Sequence, residues 1–218
     1  MTHHRSISGL TLAFAILIGI VPTGCRQGRD YADADRPNPI RDEFAAGRDR
    51  TPTPQTLYAM SRLLVARDRE AQAEFVLTRL IEKHPDFVPA YVDLAEIQMR
   101  REATGDAINT LNAGLLIAPN NPLLMNNLGV CLMVSEDYGA ALDRFTAASD
   151  AAPHVQRYRA NRGVAMALMG EYDQALGIFM EVHSPEDAHR NLAFICQANG
   201  DEERAAEEFR QAIKPQKQ

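Results

Sequence analysis

The stretch NNLGVCLMVSEDYGAALDRFTAASDAAP, Asn126 to Pro153, decides the fold once it is laid over NRGVAMALMGEYDQALGIF, Asn161 to Phe179. Gly129 falls on Gly163, Tyr138 on Tyr172, Ala141 on Ala175 and Phe145 on Phe179, each at a step of 34 residues. The same step taken backwards carries Pro153 onto Pro119 and Pro85, and Ala141 onto Ala107 and Ala73. A fifth copy, NLAFICQANGDEERAAEEFRQAI (Asn191 to Ile213), sets Ala193 on Gly163, Ala205 on Ala175 and Phe209 on Phe179 at an offset of 30, so four residues are missing near Ser184 and Pro185. A fixed period of this length marks stacked units, each of which buries its apolar face only against its neighbours.

The columns of this alignment describe the packing of a helix pair. Small residues (Ser61, Ala95, Gly129, Gly163, Ala193) and an alanine column (Ala73, Ala107, Ala141, Ala175, Ala205) let two backbones approach closely. Leu77, Leu111, Phe145, Phe179 and Phe209 fill the space beside them, and Tyr138 and Tyr172 close the turn. The punctuation agrees: Thr53 before Pro54 reads as an N-cap, Gly170 and Gly200 stand where left-handed caps are needed, and Asp201 can cap the last helix. The pattern predicts helices at about 54–67, 70–83, 88–101, 104–118, 122–135, 138–152, 156–169, 172–183, 186–199 and 202–213. With a small residue in the first half, alanine in the second, a large apolar residue four positions on and a closing proline, the unit resembles the tetratricopeptide repeat (TPR). The expected fold class is all-α, a TPR α-solenoid of five helix-turn-helix repeats.

The resemblance implies a function as well as a fold. In this family the first helix of each pair lines a concave groove that binds partners. Stepping along those helices gives Tyr58, Arg62, Val65, Val92, Glu96 and Met99, then Leu123, Asn126, Asn127, Val130 and Met133. The last two repeats add Ala160, Asn161, Val164 and Ala167, then Arg190, Asn191, Phe194 and Gln197. The middle of the groove reads as apolar. Chaperone-binding members hold a terminal carboxylate with a Lys and Asn clamp, which the corresponding Tyr58 with Arg62 and Asn126 with Val130 do not supply. Asn127, Asn161 and Asn191 recur at one position in three successive repeats. An amide donates and accepts at once, so this ladder could read an extended backbone, or each Asn could bond within its own repeat.

The chemistry-bearing residues point away from catalysis. There is no nucleophile–base arrangement, phosphate-binding glycine loop or paired-cysteine motif, so no catalytic residue and no cofactor are expected. His183 and His189 with Glu186 or Asp187 could be drawn as a metal site, but polar loop residues are the simpler reading, and no metal is expected. Cys131 and Cys196 fall inside apolar helical patterns and read as small hydrophobes, and three cysteines in 218 residues indicate no disulfide framework. The net charge of −6 argues against nucleic acid, which asks for a basic stripe.

The N-terminal region is of a different kind. ISGLTLAFAILIGIV, Ile7 to Val21, is fifteen residues without a charge, preceded by Arg5 and followed by PTGCRQG, Pro22 to Gly28. It is short for a membrane span, which wants about 20 apolar residues, and has the layout of a secretory signal. With Val21, Pro22, Thr23 and Gly24 before it, Cys25 resembles the lipid-bearing cysteine of a bacterial lipobox, with Pro22 where that pattern usually has Leu. A plain cleaved signal and an uncleaved anchor are the other readings, and all three export the chain. From Arg26 to Thr53 six basic and six acidic residues and three prolines leave almost nothing to bury, so this reads as a disordered tether in which only Tyr31, Ile40 and Phe44 are sticky.

The expected organisation is a signal at 1–24, a tether at 25–53, repeats at 54–87, 88–121, 122–155 and 156–185 (shortened), and a fifth repeat with its tail at 186–218. The expected function is a non-enzymatic, lipid-anchored adaptor of the cell envelope that takes a protein segment in its groove. Arg26 and Gln27 after the cysteine lack the Asp that favours inner-membrane retention, so the outer membrane is favoured. A TPR body on such a cysteine also resembles the accessory lipoproteins of tight-adherence (Flp) pilus assembly, which implies a role in assembling a pilus or secretin. The alternatives are a pilotin-like lipoprotein or other envelope scaffold, and a regulatory or accessory subunit of an envelope enzyme complex.

Overall fold

The computed structural model describes residues 52–214. The signal, Cys25 and nearly all of the tether lie outside the described residues. Within them the chain forms ten helices: α1 (Pro54–Val65), α2 (Glu70–Lys83), α3 (Val88–Arg100), α4 (Thr104–Ile117), α5 (Pro122–Val134), α6 (Tyr138–Ala151), α7 (Gln156–Leu168), α8 (Tyr172–Val182), α9 (Pro185–Ala198) and α10 (Glu202–Ala212). Each helix lies within two residues of its sequence-based span. They pack in sequence order as five antiparallel pairs, α1 on α2 through α9 on α10, and each pair stacks on the next. This is an all-helical, TPR-like solenoid.

The columns found in the sequence are its core. All five alanines of the alanine column are buried, as are Leu77, Leu111, Phe145 and Phe179. The glycines of the small column are small because of those rings. A Cβ on Gly129 would stand 2.7 Å from the Phe145 ring, and one on Gly163 would stand 2.8 Å from the ring of Phe179. Phe209, in the last pair, is only half-buried and stands edge-on to Phe194 with ring centroids 5.2 Å apart.

The caps also follow from the residues. Thr53 accepts the Thr56 N–H at 3.2 Å, Asn121 accepts those of Leu123 and Leu124, Ser184 that of Asp187, and Asp201 that of Arg204. Each turn inside a pair closes with a left-handed residue. Gly170 (φ 86°) and Gly200 (φ 81°) fill that place in the last two repeats, but Asp68 (56°), Glu102 (61°) and Glu136 (61°) fill it in the first three. The following N–H then reaches back five residues, as from Asp137 to the Leu132 carbonyl at 3.0 Å. A side chain in this conformation costs about 1–2 kcal/mol that glycine does not pay. Glu136→Gly is therefore expected to hold or raise the urea midpoint, while Gly170→Ala should cost about 1 kcal/mol. Equal effects of the two changes in urea titrations would contradict this account of the turns.

The missing four residues are accounted for at the α8–α9 junction. The other repeat junctions hold four residues between helices, as at 118–121, but only His183 and Ser184 separate α8 from α9, and α8 has 11 residues where α2, α4 and α6 have 14.

Candidate partner-binding groove

Successive first helices touch each other where α3 meets α5 and where α7 meets α9. The first helices therefore lie along the inside of the curve, with the second helices outside, and the inner face runs across α1, α3, α5, α7 and α9. Its exposed and half-exposed side chains change character along its length. At the N-terminal end they are Tyr58, Arg62, Asp93, Glu96, Arg100 and Arg157; further on come Leu123, Asn127, Val130, Ala160, Arg190, Asn191 and Phe194.

The charged end is a mixed-sign cluster. The Glu96 carboxyl is held above its ordinary range by desolvation first and by Asp93 second, against the pull of Arg100, Arg157 and Arg62. The Tyr58 hydroxyl is pushed up by burial and then by Asp93, and its ring lies 6.0 Å from the Arg62 guanidinium. Arg100 is turned outward onto Glu70 at 2.6 Å, while Arg157 stacks over Tyr158. This end is more polar than the sequence reading of an apolar groove.

Five of the residues expected to face a partner do not reach the surface. Asn126, Met133, Asn161, Val164 and Ala167 are buried, and the last four differ little from the alanine column in exposure. Met133, Val164 and Ala167 belong to the large C-terminal core with Leu192 and Ile195 of α9. The physical reason is the short junction after α8, which draws α9 onto α7 and closes the inner face over these side chains. Leu123, Asn127, Val130, Ala160, Arg190, Asn191 and Phe194 keep some exposure, although Val130 also packs against that core.

The asparagine ladder is corrected in the same way. Asn161 donates through Nδ2 to Oδ1 of Asn126 at 2.8 Å in a buried contact between neighbouring repeats, and Asn126 donates in turn to Asn127 at 3.3 Å. These amides tie α5 to α7 rather than to their own repeats, and Asn161 has no free face for a peptide. Asn127 and Asn191 remain half-exposed.

The residues considered for chemistry are otherwise engaged. Burial pushes the Cys131 thiol up to about 12 and that of Cys196 to about 11, so both stay protonated and pack as hydrophobes. His189 faces the buried carboxylate of Glu208 at 2.5 Å, Asp187 pairs with Arg190 at 2.6 Å, and His183 is exposed. Among the described residues no three His, Cys, Asp or Glu side chains converge as for a metal. Glu208 went unremarked in the sequence. It occupies the column of Val76 and Ile178, both buried, and that place in the repeat is the signal for a carboxylate needing partners. Its partners are His189 and Arg204, the latter at 2.7 Å and reaching on to Asp173.

Five stacked helix pairs with a lined inner face define a helical-repeat scaffold of the tetratricopeptide type, a class whose members take protein partners in that groove. The tetratricopeptide repeat family model matches residues 55–126. The chain is 29% identical over 96 residues to the Protein CTR9 homolog of Arabidopsis thaliana, a match that covers 44% of this chain and 9% of that protein. Among solved structures it is similar to YrrB, described as a TPR protein with an unusual peptide-binding site. That similarity has a TM-score of 0.61 at 21% identity, over 75% of this chain and 87% of that one. It is also similar to MamA from Desulfovibrio magneticus, with a TM-score of 0.62 at 18% identity over 73% of this chain and 93% of that one. At these identities the two structures bear on the fold alone.

Proposed function

We propose that the chain is a non-enzymatic adaptor of the bacterial cell envelope, held to a membrane by lipid on Cys25, whose inner face takes an extended segment of a partner protein. The observation that carries the reading is the exposed strip on α5 and α9. Leu123, Asn127, Asn191 and Phe194 offer apolar contact beside two amides, and nothing among the described residues covers them. The likeness to YrrB, a repeat protein with a peptide-binding site, is in keeping with such an occupant. The lipobox-like Val21–Cys25 stretch supports the anchor, and the absence of Asp after Cys25 favours the outer membrane. Assistance to pilus or secretin assembly is the finer role that a TPR body on a lipobox-like cysteine suggests.

Two experiments test this. The double variant Leu123→Asp with Asn191→Ala changes only exposed or half-exposed groups, so helical content and melting should stay near wild type while capture of the envelope partner falls at least about tenfold, the equivalent of about 1.4 kcal/mol. A folded variant that captures as well as wild type would move the interaction off the inner face. Cys25→Ser should leave an exported protein that no longer fractionates with membranes, since no helix of the described residues is long and apolar enough to cross one. An intact mass showing no lipid on the membrane-extracted wild-type protein would remove the anchor from the proposal.

A further inference from the structure

In α3, α5 and α9 two positions carry the contact with the second helix of the preceding repeat. They are Leu94 and Ile97, Leu128 and Cys131, and Leu192 and Ile195, and all six are 5% exposed or less. In α1 the same positions are Met60 and Leu63, and they are 50% and 52% exposed. The first helix thus presents a core-type face with no described element on it.

The sequence just upstream has the pieces of a cover. Asn38–Pro39 repeats the Asn121–Pro122 pair that opens α5, and Thr53–Pro54 and Ser184–Pro185 open α1 and α9 in the same way. Asp42 and Glu43 follow where acidic groups favour a helix start. Gly47 then stands just past the segment, as Gly170 and Gly200 stand past α7 and α9. Between these signals Ile40 and Phe44 are four apart, on one helix face. Eight residues are too few to hold a helix in water unaided, so such a segment needs an apolar surface to form on.

We propose that residues 39–46 form a helix that seats Ile40 and Phe44 on Met60 and Leu63, giving the first repeat the neighbour it otherwise lacks. The seven residues 47–53 can span up to about 25 Å, and Pro54 to Leu63 is about 14 Å of helix, so an antiparallel return is within reach. Tethering places the segment at millimolar effective concentration, which favours the chain's own residues over those of a second copy. The reach from Cys25 to the folded body is then set by residues 26–37, about 20 Å as a flexible chain, rather than by the whole stretch to Thr53.

The test uses the full chain carrying Cys25→Ser, with Cys131 and Cys196 buried. Phe44→Cys with Met60→Cys should oxidise to an intrachain disulfide at least about tenfold faster than Ala32→Cys with Met60→Cys. Phe44→Asp should also lower the melting temperature by several degrees, with Ala32→Asp leaving it in place. Equal oxidation rates, a predominantly interchain product, or a melting temperature unmoved by Phe44→Asp would each overturn the proposal. None of these results bears on whether the inner face binds a partner.

Discussion

Replacing Phe145 by alanine is expected to cost about 3–5 kcal/mol of stability, the range for deleting a fully buried aromatic ring. The ring is wholly buried and lies directly under Gly129, so its removal leaves a void between α5 and α6 that neither backbone can close. In a solenoid each repeat leans only on its neighbours, so the loss should be felt in the second, third and fourth repeats before the outer ones. Hydrogen exchange of the variant should show protection lost first across α5 and α6. A urea titration giving less than about 1 kcal/mol would mean that the aromatic column is not the core of the repeat.

Aspartate at Val164 and aspartate at Leu123 should have opposite outcomes, although both positions were expected to face the groove. Val164 is 4% exposed in the core shared by α7 and α9, where a carboxylate finds no partner; the cost should exceed about 4 kcal/mol and leave the C-terminal repeats unfolded. Leu123 is exposed in the first turn of α5, where a negative charge is favoured by the helix N-terminus, so its change should stay within about 0.5 kcal/mol of wild type. Circular dichroism melts of the two single variants read the difference. A folded Val164→Asp would reopen the inner face to the residues that the structure buries.

The contrast between these two residues shows what a repeat pattern reveals and what it hides. The period of 34 is written in side chains that touch within one helix pair, such as Gly129 on Phe145 and Gly163 on Phe179, so the pairs, their caps and their order were legible. Curvature is set between pairs, by the length of each junction and by how far one first helix slides onto the next. The four missing residues after α8 were visible, but their effect in burying Val164 and Ala167 under α9 was not. The Asn161 to Asn126 bond was hidden for a related reason. It joins residues 35 apart, one off the repeat step, and so belongs to no alignment column. Left-handed Asp68, Glu102 and Glu136 could have been found, since they share a column with Gly170 and Gly200.

The account rests on partner binding to the inner face, and site-specific photo-cross-linking in the membrane-attached protein tests it most directly. A photoreactive side chain at Leu123, on α5, should capture a discrete partner protein from the envelope. The same group at Leu116, 83% exposed on the outer helix α4, should capture nothing specific. The Leu123 product should disappear when an excess of unmodified protein competes for the partner. A product from Leu116 alone, or equal yields from the two positions, would contradict the assignment of the inner face as the binding surface.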